Sequence, residues 1–144
     1  MAAQDEKTGE NIFGRHSTGL QNVGSYQVAG VPWVTGSDDL DAGGEHTITF
    51  PLVTKSILVR NPGAVDIRVH FASKADTKVY SQNHFLRISG SATMLTELEL
   101  DCKCTKLYIS NATAQDNAVY EVFAELTGID PNRMFDLTGS GITE

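Results

Sequence analysis

The feature that most constrains this chain is a unit that occurs twice. Residues 46–71 read as three short extended runs, His46–Phe50, Lys55–Asn61 and Val65–Phe71. Residues 96–126 read the same way, as Thr96–Asp101, Lys106–Asn111 and Val119–Leu126. In both copies a Thr-Lys pair (Thr54-Lys55, Thr105-Lys106) opens the middle run and an Asn (Asn61, Asn111) closes it. Asn suits that place because it tolerates turn conformations and bonds nearby backbone. Two three-stranded meanders, each with one apolar face, bury those faces by packing on one another. The expectation is an all-β chain forming a single antiparallel β-sandwich built on itself.

Alternation assigns the faces. Val65, Ile67, Val69 and Phe71 share one side of their run, and Asp66, Arg68 and His70 share the other, so the first set is expected inside and the second in water. The turn Asn61-Pro62-Gly63-Ala64 predicts a hairpin between Lys55–Asn61 and Val65–Phe71. In the second copy Leu98, Leu100, Cys102 and Cys104 face in, while Glu97, Glu99, Asp101 and Lys103 face out. Tyr120, Val122, Ala124 and Leu126 share one face of the last run, opposite Glu121, Phe123 and Glu125. Between the copies, Thr77–Tyr80 and Phe85–Ser89 predict a further hairpin. The total is about eight strands, the spacing of a sandwich or jelly roll.

The flanks differ from this body. Residues 1–25 form an extended arm broken by Gly9, Gly14, Gly19 and Gly24, without helix or strand periodicity, yet carrying Ile12, Phe13, Leu20 and Val23. The sandwich domain is expected over residues 26–127. Within it Ser25–Thr35 suits a strand, and Pro32, which has no ladder donor, places that strand at a sheet edge or on a bulge. Gly36–Glu45 reads as a polar, acidic loop. Residues 128–144 form a tail in which Asp130-Pro131 starts a short helix over Asn132–Leu137, presenting Met134, Phe135 and Leu137, with Ile142 near the end.

Charge and composition narrow the function. A net charge of −7, from 11 basic and 18 acidic residues, disfavours a surface that tracks nucleic-acid phosphates or anionic lipid. No apolar run approaches the length of a membrane span. The polar start Met1–Lys7 lacks the apolar segment of a secretory signal, so a reducing compartment is expected. In that setting Cys102 and Cys104 read as small buried hydrophobes rather than a disulfide, and Asn111-Ala112-Thr113 as an incidental match to a glycosylation site.

The chemistry-bearing residues do not assemble into a motif. His16, His46, His70 and His84 are scattered, without metal-site spacing. Asp38, Asp39 and Asp41 lie in a Gly-flanked loop that could hold a calcium ion, but they lack the EF-hand spacing and read first as a solvated loop. Ser89-Gly90-Ser91 and Gly139-Ser140-Gly141 are not nucleophile elbows. Outward Glu97, Glu99, Glu121 and Glu125 fit a soluble sheet surface better than a paired-carboxylate site. No cofactor and no catalytic residue is expected. Trp33, Tyr80, Phe85, Tyr108 and Phe123 could supply an aromatic platform or pack under neighbouring segments.

The glycine-punctuated arm leading into Leu20-Gln21-Asn22-Val23-Gly24-Ser25-Tyr26, the self-similar sandwich, and the ending Tyr120-Glu121-Val122-Phe123-Ala124-Glu125-Leu126-Thr127-Gly128-Ile129 together resemble small virion structural proteins of tailed bacteriophages. That resemblance implies a non-enzymatic virion protein, assembled in the host cytoplasm. It implies a capsid decoration (cement) protein or a tail or neck component. By the same analogy the partners are the major capsid protein or another virion protein, and the chain is a homo-oligomer, a trimer as in many cement proteins. The residues expected to meet a partner are Ile12, Phe13, Val23, Trp33, Tyr108, Met134, Phe135 and Ile142. The alternative is a carbohydrate-binding sandwich using Trp33 or Tyr108.

Overall fold

The computed structural model describes residues 4–5, 10–11, 30–90 and 96–142. Two-residue strands β1 (Gln4–Asp5) and β2 (Glu10–Asn11) pair antiparallel, a small ladder in an arm expected to carry none. Eight strands follow: β3 (Val31–Leu40), β4 (Glu45–Thr49), β5 (Thr54–Arg60), β6 (Ile67–His70), β7 (Leu86–Ile88), β8 (Glu97–Leu100), β9 (Lys106–Ser110) and β10 (Ala118–Leu126). They form two antiparallel four-stranded sheets, ordered β3-β10-β5-β8 and β4-β9-β6-β7, which is the jelly-roll arrangement of an all-β sandwich.

The repeat is real in strand order, but its copies interlock instead of forming separate meanders. The middle strand of the second copy, β9, lies between β4 and β6 of the first. The middle strand of the first copy, β5, lies between β8 and β10 of the second. The outer strands β3 and β7 occupy matching places, beside β10 and β6. The expected hairpin of β5 with β6 therefore does not form, because the chain crosses between sheets at Asn61–Asp66. Alternation specifies which residues face inward, and it reads the same whichever strand lies alongside.

The two asparagines stand at two equivalent crossings, β5 to β6 and β9 to β10. Asn61 is 2 % exposed and Asn111 fully buried. The Asn61 side-chain amide donates to Val65 O at 2.7 Å and Ile88 O at 3.4 Å, and its Oδ1 accepts from Gly63 N–H at 3.0 Å. Asn111 repeats the set, donating to Gln115 O at 2.7 Å and Leu40 O at 3.2 Å and accepting from Thr113 N–H at 2.9 Å. Their backbone N–H groups match as well, reaching Thr96 O at 2.8 Å and Gly44 O at 3.0 Å. Each Asn thus binds the end of one edge strand and the start of the next, satisfying carbonyls that a buried corner would otherwise leave unpaired.

The interior is filled by Leu40, Phe50, Ile57, Val59, Ile67, Val69, Ile88, Leu107, Ile109 and Val122, each at most 1 % exposed, together with Ala124 and Leu126. Val65, Phe71, Leu98 and Leu100, expected inside, are only half-buried, since they sit at the sandwich rim or on the edge strand β8. Asp66, Glu97, Glu99 and Glu121 are exposed as expected, and Arg68 is half-buried. Strand β3 lies at a sheet edge, as Pro32 requires, but it runs on through Leu40 into the expected acidic loop. It continues because β10 pairs with it to Ala118↔Leu40 across a bulge that absorbs the polar Asp38-Asp39 step. Cys102 and Cys104 follow β8 outside any strand, and both are free thiols.

Two further expectations change. Thr77–Ser81 is a short helix, α1, rather than half of a hairpin. Asp76 caps it by accepting from Lys78 N–H at 2.9 Å, a local bond that starts a helix whatever follows. In the tail, Asp130 caps Pro131 as expected, but the result is a single 3-10 turn, Pro131–Arg133, in place of a helix to Leu137. The sandwich packing itself continues to Ile129, which is fully buried and accepts from Val53 N–H at 3.0 Å.

Replacing either Asn61 or Asn111 with Ala should lower stability by about 2–4 kcal/mol, because several buried backbone groups lose their partner at once. Asp should do no better, since a carboxylate cannot donate to the two carbonyls. Urea denaturation of the four variants measures this; losses under about 1 kcal/mol would show that the corners are dispensable.

Candidate functional site

The register of the β3-β10-β5-β8 sheet sets an apolar row across its outer face. Val34 lies opposite Phe123, Phe123 opposite Leu58, and Leu58 opposite Glu99. Val34 is 71 % and Phe123 37 % exposed. The row is bordered on one side by Arg60 and Glu121, joined at 2.9 Å, and on the other by Lys55 and Glu125 at 3.8 Å. The hydrogen bond and charge of Glu121 raise the Arg60 pKa, but the pair is exposed and contributes little to stability. A depression of about 190 Å³ opens between Val34, Leu58, Arg60 and Phe123. Alternation gave Phe123 an outward place, but only cross-strand register aligns it with Val34 and Leu58.

The tail builds a second apolar surface. Phe71, Cys102, Met134, Phe135, Leu137 and Ile142 line a cleft of about 540 Å³. Phe135 is 49 % and Ile142 65 % exposed, whereas Met134 and Leu137 are half-buried. The tail is fastened by Asp76, whose second oxygen accepts from Gly139 N–H at 2.8 Å. A Cβ at Gly139 would lie 2.9 Å from that carboxylate, so the close approach needs glycine. The two backbone donors, Lys78 first and then Gly139, hold the Asp76 pKa below its ordinary value. Cys102, which lines the cleft, is hydrogen-bonded to the buried Cys104 beneath it. That bond favours the Cys102 thiolate and lowers its pKa, while the same bond and burial push Cys104 far up.

The residues expected to meet a partner therefore divide. Met134, Phe135 and Ile142 converge on one cleft. Trp33 packs edge-on against Phe50, with ring centres 5.1 Å apart, and Tyr108 stacks on His70 at 6.0 Å, so each ring has a side engaged within the chain. Ile12, Phe13 and Val23 lie outside the described residues.

His70, expected in water, is instead 1 % exposed, because α1 and its flanking loop cover the outer face of β6 and β9. Its Nδ1 lies 2.6 Å from Ala72 O and its Nε2 2.8 Å from Ser110 Oγ. A carbonyl only accepts, so Nδ1 carries the proton and Nε2 accepts from the Ser110 hydroxyl. Tyr80 in turn donates to Ser110 Oγ at 2.7 Å. Glu45 approaches Nε2 at 3.8 Å and fastens the covering loop by accepting from Ser73 Oγ at 2.8 Å and Lys74 N–H at 2.6 Å.

This Ser-His pair does not have the layout of a nucleophilic site. Ser110 is fully buried, and the carboxylate faces the same ring nitrogen as the serine rather than the opposite one. The network acts as a polar joint between sheet and loop. Among the described residues no group of three or more His, Cys, Asp or Glu side chains could hold a metal ion, and Asp38, Asp39 and Asp41 are all exposed.

The chain matches no protein-family model, no characterised protein and no solved structure.

Two measurements check these environments. Burial, the largest influence on His70, lowers its pKa below 6.5, outweighing the neighbouring Glu45. The unfolded chain then binds the extra proton first. Stability is therefore fully present above about pH 6.5 and should fall as pH drops from there toward the lower folded value. His70→Gln should flatten that part of the stability curve; an unchanged slope would place the dependence elsewhere. In native protein, iodoacetamide should label Cys102 well before Cys104, with both labelled only after denaturation, as peptide mass spectrometry reads.

Proposed function

We propose that this chain is a non-enzymatic structural protein of a virion, most specifically a capsid decoration protein that stabilises a phage head by bridging neighbouring subunits. The observation that carries the reading is the position of the apolar surface. The sandwich interior is filled by its own side chains, while Val34, Phe123 and Leu58 form a row on an outer sheet face between charged borders. A core packed with side chains leaves the outer faces and edges as the surfaces that the described residues present for binding, which suits a protein that covers part of a shell. The tail cleft adds a second apolar surface with Phe135 and Ile142 at its rim. The resemblance of the sequence to small phage virion proteins supports the same reading, with the major capsid protein as partner. The tail or neck of the particle is the other location that this resemblance allows.

The test is co-sedimentation with purified capsids that lack the protein. Val34→Glu together with Phe123→Glu should keep the native melting temperature within a few degrees, because both residues lie outside the core, yet reduce capsid binding at least tenfold, about 1.4 kcal/mol. Full binding by that variant would remove the outer row from the interface. Absence of binding by the unaltered protein, with a positive glycan array, would overturn the capsid reading in favour of a carbohydrate module.

A further inference from the structure

We propose that two copies of this chain pair edge to edge, β7 of each beside β8 of the other, extending both sheets across a two-fold axis. The inference rests on the fold and not on the virion reading.

The four edge strands are β3, β8, β4 and β7. The connection from Leu40 to Glu45 passes between the sheets but is too short to span their width, so β3 and β4 share one side, and β7 and β8 share the other. The Asn61 bonds to Ile88 O and Thr96 O confirm this, placing the end of β7 beside the start of β8. The two strands therefore run antiparallel on the same flank, one in each sheet. A two-fold axis along the strands would set each β7 antiparallel to a β8 and satisfy both edges in one operation. Such a contact closes on itself and does not propagate.

The two flanks are equipped differently. The β3 side is protected by Pro32 and a bulge at Asp38-Asp39, devices that keep a sheet edge from pairing. The β7 and β8 side has neither, and among the described residues no further strand pairs with it.

Its side chains complement each other. In β7, Arg87 faces outward while Leu86 and Ile88 face the interior; in β8, Glu99 faces outward while Leu98 and Leu100 face the interior. Antiparallel pairing sets Leu86 opposite Leu100, Arg87 opposite Glu99, and Ile88 opposite Leu98 of the second copy. Within one chain Arg87 lies directly opposite Arg68, a like-charge pair that is unfavourable alone. Arg68 is accommodated over the rings of Tyr80 and Phe85, at 4.8 and 4.1 Å. Neither Arg87 nor Glu99 has an ion-pair partner among the described residues. The proposed pairing gives each the other, and covers Leu86, which is 43 % exposed in the single chain.

Sedimentation equilibrium of the full chain tests this. The unaltered protein should sediment with twice the chain mass, and added salt should weaken the association. Arg87→Glu and Glu99→Arg should each shift it at least tenfold toward monomer, and the double variant, with the charges exchanged, should restore the dimer. Both residues are exposed, and circular dichroism melting should confirm that each variant folds. A monomer at every concentration, a stable trimer, or a dimer indifferent to both single substitutions would overturn the proposal.

Discussion

The architecture depends on what Asn61 and Asn111 do at two of the corners where the chain leaves one sheet for the other, β5 to β6 and β9 to β10. A strand that ends inside a sandwich leaves carbonyl and amide groups facing an apolar interior. Each such group costs free energy comparable to a lost hydrogen bond. A side-chain amide is the one short group that donates twice and accepts at the same corner. Because both asparagines use it in the same way, the two copies of the repeat can pass through one another. Each middle strand then gains two neighbours from the other copy.

That interlocking determines what surface remains. Most inward residues of both copies are committed to one shared core between the sheets. Among the described residues, exposed apolar side chains lie on one outer face (Val34, Phe123), in the tail cleft (Phe135, Ile142) and at the edges (Val31, Leu86). The outer face of the second sheet is closed differently, by α1 and its loop over the hydrogen-bonded His70, Ser110 and Tyr80, with Glu45 fastening the loop through Ser73 and Lys74. Polar residues suit that joint because the cover is thin. A fully satisfied network holds a loop in one position where a small apolar contact would let it slide. Among the described residues, one outer face is covered, the other is not, and the two flanks differ in character.

Much of this was legible in the chain. Period-two alternation gave the inward sets Ile67 and Val69, or Val122 and Ala124, because side-chain direction in a strand is a local property. Pro32 marked an edge strand or a bulge because a missing N–H rules out a regular central place, and Asp130-Pro131 marked the cap, made within a few residues, though not that only a single 3-10 turn follows it. The repeat with its closing asparagines was visible for the same reason. What no local rule could supply was adjacency. The backbone hydrogen bonds of a ladder are alike for any pair of strands, so a meander and an interlocked pair share one sequence pattern. Only the packed structure decided that β9 lies between β4 and β6, and that α1 covers His70. It also decided that Val34, Phe123 and Leu58, far apart in sequence, stand in one row, because these facts rest on contacts between distant segments that form only when both sheets close on a common core.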